Sequence, residues 1–260
     1  MSRAVQFLFA GAISLALAST ALAQSTGYDI AWNDCVSQPG AAQNLAYACD
    51  GSRDGDPFRL VFSFIPPEVP NYVGLQAVFD MRTSGGALPD WWKMGVGECR
   101  DGALVFPASL SGIGTGTTGA CRNPWLGTTL GGGYQWYSQD TIYEQIFMGA
   151  GRLRVAFART SEIALEAGQR YLGGVITLDP ARPVGHEDPC VGCSLPGCIV
   201  LNQVELYQPV GSPGGDIILL RTPLDHGFVT WQGGDVGGYG CPLSLPTRRA
   251  TWGAIKAIYR

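Results

Sequence analysis

The stretch "PCVGCSLPGC", Pro189 to Cys198, holds three cysteines: Cys190, Cys193 and Cys198. Three chemistries suit that spacing. With Cys241, the thiolates could surround zinc or an iron–sulfur cluster. Cys190 and Cys193 could form a redox pair, which needs a helix start to lower the thiol pKa. Or all of them could be oxidised to structural staples. The compartment decides among the three.

The chain opens "MSRAVQFLFAGAISLALASTALAQ". Arg3 precedes an apolar run from Val5 to about Ala18, and Ala21-Leu22-Ala23 fits an A-x-A cleavage site. Residues 1–23 are therefore expected to be a signal peptide of bacterial type, with the mature chain starting at Gln24. An uncleaved anchor is the alternative, but the run is shorter than the roughly 20 residues a span needs. An exported chain meets an oxidising compartment. Its eight cysteines, Cys35, Cys49, Cys99, Cys121, Cys190, Cys193, Cys198 and Cys241, are then expected to form four disulfides. Short sequence distances favour Cys35–Cys49 and Cys99–Cys121. Cys198 is expected to reach Cys241, leaving Cys190 to close a small loop with Cys193. Pro196 and Gly197 follow the C-x-x-C pair where a redox motif needs a helix, so stapling is favoured.

The composition fits an ordered chain with many turns. There are 37 glycines and 17 prolines; charged residues make up 15% and hydrophobic ones 46%. That hydrophobic fraction excludes a disordered chain. Net charge is −4, with no basic stripe of the kind a nucleic-acid binder shows. No later segment is long and apolar enough to span a membrane.

Strand-like runs recur between Gly, Pro, Asn and Asp turns. They are Tyr28–Trp32, Phe58–Ile65, Tyr72–Met81, Ala103–Ser109, Arg152–Ala158, Tyr171–Leu178, Cys198–Tyr207, Asp216–Arg221 and Phe228–Trp231. Without βαβ alternation, they predict an all-β fold. The expected form is one antiparallel β-sandwich of jelly-roll or Ig/cohesin-like kind over residues 24–260, with a Cys-rich C-terminal part. Ser161–Gln169 reads either as one or two helical turns or as a turn into the next strand. Trp252, Ile255, Ile258 and Tyr259 predict a short C-terminal helix. Ser111–Gly133 is a glycine-rich loop.

Other candidate sites are weaker. "GTGTTG", Gly114–Gly119, spells G-x-G-x-x-G but lacks the flanking strand and helix of a dinucleotide site. Asp50, Asp54 and Asp56 in "CDGSRDGDPF" could ligate calcium, the one cofactor suggested, but Asp-Gly pairs are also ordinary turn chemistry. His186 and His226 lack the partners of a zinc site or a hydrolytic triad. Glu68, Glu98, Glu144, Glu162, Glu166, Glu187 and Glu205 have no context that marks a glycosidase pair.

The aromatics offer more. Trp91 and Trp92 are adjacent, Trp125 lies in the glycine-rich loop, and Tyr134, Trp136 and Tyr137 follow it. Exposed, they would form a platform for sugars or peptides; buried, they would plug the core. "CIVLNQVEL", "FVTWQGG" and "TWGAIKAIYR" resemble a group of uncharacterised exported bacterial proteins. That resemblance implies an exported β-rich protein of this size and carries over no functional residue. "NYVGLQAVFDM" and "LEAGQRYLGGVITL" are similar to strands of cohesin-like extracellular modules, which implies fold alone.

The expected role is a secreted or cell-surface, extracellular or periplasmic, non-catalytic protein that binds a carbohydrate or protein through these aromatics. A self-assembling surface-layer or filament subunit, docking through Trp252–Arg260, is the alternative, and a secreted hydrolase the third.

Overall fold

Runs such as "FRLVFSFI" combine β-branched and aromatic residues, which suit a pleated surface, and the strand they form is buried on both faces except at Arg59. The computed structural model describes residues 26–36, 38–49, 57–83, 87–106, 121–126, 130–138, 150–180, 190–220 and 227–234. Apart from a 3-10 turn at Asp90–Trp92, the described residues form strands and loops.

The strands are β1 (Gly27–Trp32), β2 (Asn44–Leu45), β3 (Phe58–Ile65), β4 (Val69–Thr83), β5 (Leu104–Val105) and β6 (Leu130–Tyr137). They continue with β7 (Ala150–Leu165), β8 (Tyr171–Leu178), β9 (Gly197–Tyr207), β10 (Ile217–Leu219) and β11 (Phe228–Trp231). One sheet has the order β1-β3-β8-β5. The other runs β2-β11-β9-β4-β7-β6, with β10 also paired to β9. All pairings are antiparallel except β2 with β11.

Rings from the two sheets meet in one core. Phe62 of β3 contacts Phe79 of β4 and Phe157 of β7, and Phe64 of β3 contacts Tyr72 of β4. The Tyr28 hydroxyl of β1 donates to the Asn202 carbonyl of β9 at 2.7 Å. In β8, the "GG" pair exists because rings occupy the space. A Cβ on Gly173 would lie 2.3 Å from Phe62 Cε2, and one on Gly174 would lie 2.6 Å from Phe157 Cε2.

Several expectations change. Ser161–Leu165 is not helical; it is the end of β7, and the chain turns at Ala167–Gly168. Gly168 takes φ 74°, which glycine adopts without strain. The end of the glycine-rich loop is strand β6, which pairs with β7 from Leu130 to Tyr137. The C-terminal helix, the signal peptide, Cys241 and the Asp50, Asp54 and Asp56 cluster all lie outside the described residues, as do His186, His226 and Gly114–Gly119.

The disulfides differ from the short-range expectation. Cys35 pairs with Cys121, Cys49 with Cys193, and Cys99 with Cys190. The expected Cys35–Cys49, Cys99–Cys121 and Cys190–Cys193 bonds are therefore absent. Loop-closure entropy grows only slowly with loop length, so sequence proximity is a weak guide once the sheets fix which loops are neighbours. Cys198 is also disulfide-bonded, and its expected pairing with Cys241 lies outside the described residues.

Two predictions follow from this core. Replacing Cys99 and Cys190 by Ser should cost between about 2 and 5 kcal/mol in urea unfolding. Peptide mapping without reduction should recover the Cys99–Cys190 link, and recovery of Cys99–Cys121 would contradict the fold. The Tyr72 hydroxyl is buried without a partner among the described residues, and burial holds its phenol well above the ordinary value. The unfolded chain ionises Tyr72 from about pH 10 while the folded chain does not, so stability falls as pH rises through that range. Tyr72→Phe should match the parent protein at neutral pH and lose less stability at about pH 11; equal alkaline losses would contradict this.

Candidate functional site

The two expected halves of the aromatic platform occupy different surroundings. Asp90–Trp92 form the 3-10 turn at the start of the loop 87–103. Cys99–Cys190 ties this loop to the stretch 190–196, and the Trp91 N–H donates to the Val191 carbonyl at 2.9 Å. Trp92 is only 1% exposed and meets Trp231 edge-on at 5.2 Å. Trp91 is half-buried beside Tyr47 and Trp231. Its ring is capped by the Arg100 guanidinium, 3.8 Å from the centroid. Burial lowers Arg100 to about 10, so it remains cationic at neutral pH and the cation–π contact holds. Arg100 also donates to the Trp91 and Asp179 carbonyls. Trp92 is a core residue, and Trp91 packs against that core beneath its Arg100 cap.

Trp125 is also buried, at 5% exposure. Its ring packs on Tyr72 and Phe157. Its indole N–H lies 3.2 Å from both the Leu172 and Gly173 carbonyls. Those carbonyls flank the register shift between β3 and β8, so Trp125 satisfies backbone that the ladder leaves open. Neither Trp92 nor Trp125 belongs to an exposed platform.

Strand β6 supplies what remains. Side chains alternate along it. Tyr134 and Trp136 face the space between the sheets, and Tyr137 lies on the other face, opposite Arg152 in register. Tyr134 is 41% exposed and stacks on Phe106 at 4.9 Å. Burial and then the Asp101 carboxylate raise the Tyr134 phenol above its usual value, so it is a neutral donor at physiological pH. Trp136 is half-buried and closes an apolar cavity of about 20 Å³ between the sheets. Trp92, Met94, Leu104, Leu153 and Ile176 are among its walls. A space of that size admits little more than a water molecule. It is a packing void, and no sugar or peptide side chain fits it.

Two carboxylates border these rings: Glu98, which the sequence offers only as one of seven glutamates without a marking context, and Asp101, which it does not offer. Glu98 accepts the Gly95 N–H at 2.6 Å and the Ser138 hydroxyl. Asp101 accepts the Gly97 N–H at 2.8 Å. A Cβ on Gly95 would lie 2.9 Å from Glu98 Oε2 and 3.4 Å from Trp136 Cδ1, so carboxylate, indole and loop backbone converge there. The result is an edge of Phe106, Tyr134 and Trp136 with Glu98, Asp101 and Ser138 beside it. The i, i+2 spacing of Tyr134 and Trp136 was the available signal. Glu98, Asp101 and Phe106 reach the edge only through the fold. Among the described residues, no three His, Cys, Asp or Glu side chains are placed to hold a metal ion.

Comparison with protein-family models, curated proteins and solved structures finds no match to this chain. The functional reading therefore rests on this geometry.

The Trp136 position has its own test. A Cβ on Gly151 would lie 2.5 Å from Trp136 Cζ2, so Gly151→Ala must move the indole. The expected cost is about 1–3 kcal/mol, as for other overpacked cores, with a red-shifted tryptophan emission. Unchanged stability and emission would show that Trp136 does not sit there.

Proposed function

We propose that this chain is an exported, non-catalytic binding protein that presents the Phe106–Tyr134–Trp136 edge to a carbohydrate. The observation that carries the reading is Tyr134: a partly exposed ring, held flat by Phe106, with carboxylates nearby. A sugar offers an apolar face for such a ring and hydroxyls for Glu98, Asp101 and Ser138. Phe106 fixes the ring before binding, which lowers the ordering cost that association must overcome. The cavity behind Trp136 is too small to be the ligand site, so the ligand lies across the edge.

The surrounding features support the same reading. Two sheets around a shared core suit a sandwich of jelly-roll or Ig/cohesin-like type, a frame that presents ligands at its rims. Three disulfides among the described residues suit an oxidising compartment. No helix among the described residues is long and apolar enough to cross a membrane. The signal-like opening supports export to the cell surface or medium, in line with the resemblance to exported bacterial proteins. An extended peptide is the competing ligand for the same edge.

The test is a glycan array followed by calorimetry on the hits. Tyr134→Ala should weaken binding about tenfold, or about 1.4 kcal/mol, and leave thermal stability nearly unchanged. Absence of any glycan hit, or full affinity in the Tyr134→Ala variant, would remove the carbohydrate reading. Trp92→Ala is unsuitable because it would damage the core.

A further inference from the structure

Strand β6 ends the seven-stranded sheet. It pairs with β7 from Leu130 to Tyr137 without a register shift and with no other strand among the described residues. Gly131 through Gln135 are all exposed. An edge of this kind offers a row of backbone donors and acceptors to a further strand. Natural proteins usually block that pairing with lysine, proline, a bulge or a short edge. β6 has none of these devices. "LGGGYQWY" is eight residues long, uncharged and free of proline.

The strand is also complementary to itself. Its first half is glycine and its second half aromatic. In an antiparallel copy centred on Gly133, Gly133 faces Gly133, Tyr134 faces Gly132 and Gln135 faces Gly131. Residues directly opposite in an antiparallel pair share one face of the sheet. Each Tyr134 then stands opposite Gly132 of the other copy, on the face that the Phe157 ring of that copy lines, and aromatic residues opposite edge glycines stabilise such pairings. A one-residue slip would set residues of opposite faces against each other. Gly133 itself stands clear: a Cβ there meets nothing within 4 Å. An uncharged edge has no preference for a charged peptide, whereas its glycine and aromatic halves match their own reversed order.

We infer that β6 is a docking edge for a second copy of this chain, joined by antiparallel β6–β6 pairing about a two-fold axis. The contact is isologous and closes on itself, so it makes a dimer and not a filament. It rests on backbone pairing and stands whether or not the carbohydrate reading holds.

The test is sedimentation of the full, oxidised chain up to roughly 1 mM. The expected result is a concentration-dependent dimer. Gly133→Lys places two like charges face to face across the axis, and Gln135→Lys adds a charge at the neighbouring pair. Each should raise the dimer dissociation constant at least about tenfold, with the melting temperature of the monomer unchanged. A parent chain that stays monomeric throughout overturns the inference. So does a dimer that both lysine variants leave intact, or an edge that captures extended peptides while the chain does not pair with itself.

Discussion

The Phe62 ring is the contact on which the two-sheet structure depends. It is fully buried, meets Phe79 edge-on at 5.4 Å and lies over Phe157 at 6.3 Å, and so joins β3 of one sheet to β4 and β7 of the other. Its seat exists because β8 has glycines at positions 173 and 174, where any side chain would strike an aromatic ring. The ladder shifts register at this point: Phe62 faces Gly174 while Ser63 faces Leu172, leaving Gly173 without an opposite residue. Extra residues of this kind bend a strand and leave backbone groups unpaired. The Trp125 indole N–H meets the carbonyls involved. One bulge thus accounts for two glycines, a buried tryptophan and the join between the sheets.

Trp231 plays the matching role at the cysteine-rich end. Rings of Trp32, Tyr47, Phe58, Trp91 and Trp92 surround it, and its N–H donates to the Cys193 carbonyl at 2.6 Å. The stretch 190–196 carries two disulfides, one to Cys49 and one to Cys99. It binds the segment before Cys49 and the loop 87–103 to this ring cluster. The stretch is a clasp, and the tryptophan pair that would serve as a platform is what it clasps.

Buried ions hold strand alignment. Asp80 and Arg152 face each other across β4 and β7 and pair through two bonds of 2.6 and 2.8 Å, with Asn202 donating to the same carboxylate. In the other sheet, Arg170 reaches Asp29 and Ser63, themselves opposite one another on β1 and β3. Desolvation offsets much of the attraction in such pairs. Their larger effect is on register, because a slipped strand would strand a charge in the interior.

Sequence alone determined the fold class and most of the strand positions. β3, β8 and β11 fall on the runs the sequence predicts, because short stretches rich in β-branched and aromatic residues between turn signals read as strands even where both faces are buried. It also told that the cysteines would be staples. It could not tell which cysteines pair, because near and distant partners differ little in closure entropy. β6 was hidden by its glycines, which carry no alternation, until β7 gave them a partner. The fate of each aromatic was likewise a tertiary decision. Trp92, Trp125 and Trp136 are one residue type, yet the first two are buried beneath Trp231 and the β8 bulge while Trp136 is only half-buried. Tyr134 stays exposed because β6 is the last strand of its sheet. Burial depends on what else occupies the space, and that is set only when the sheets close.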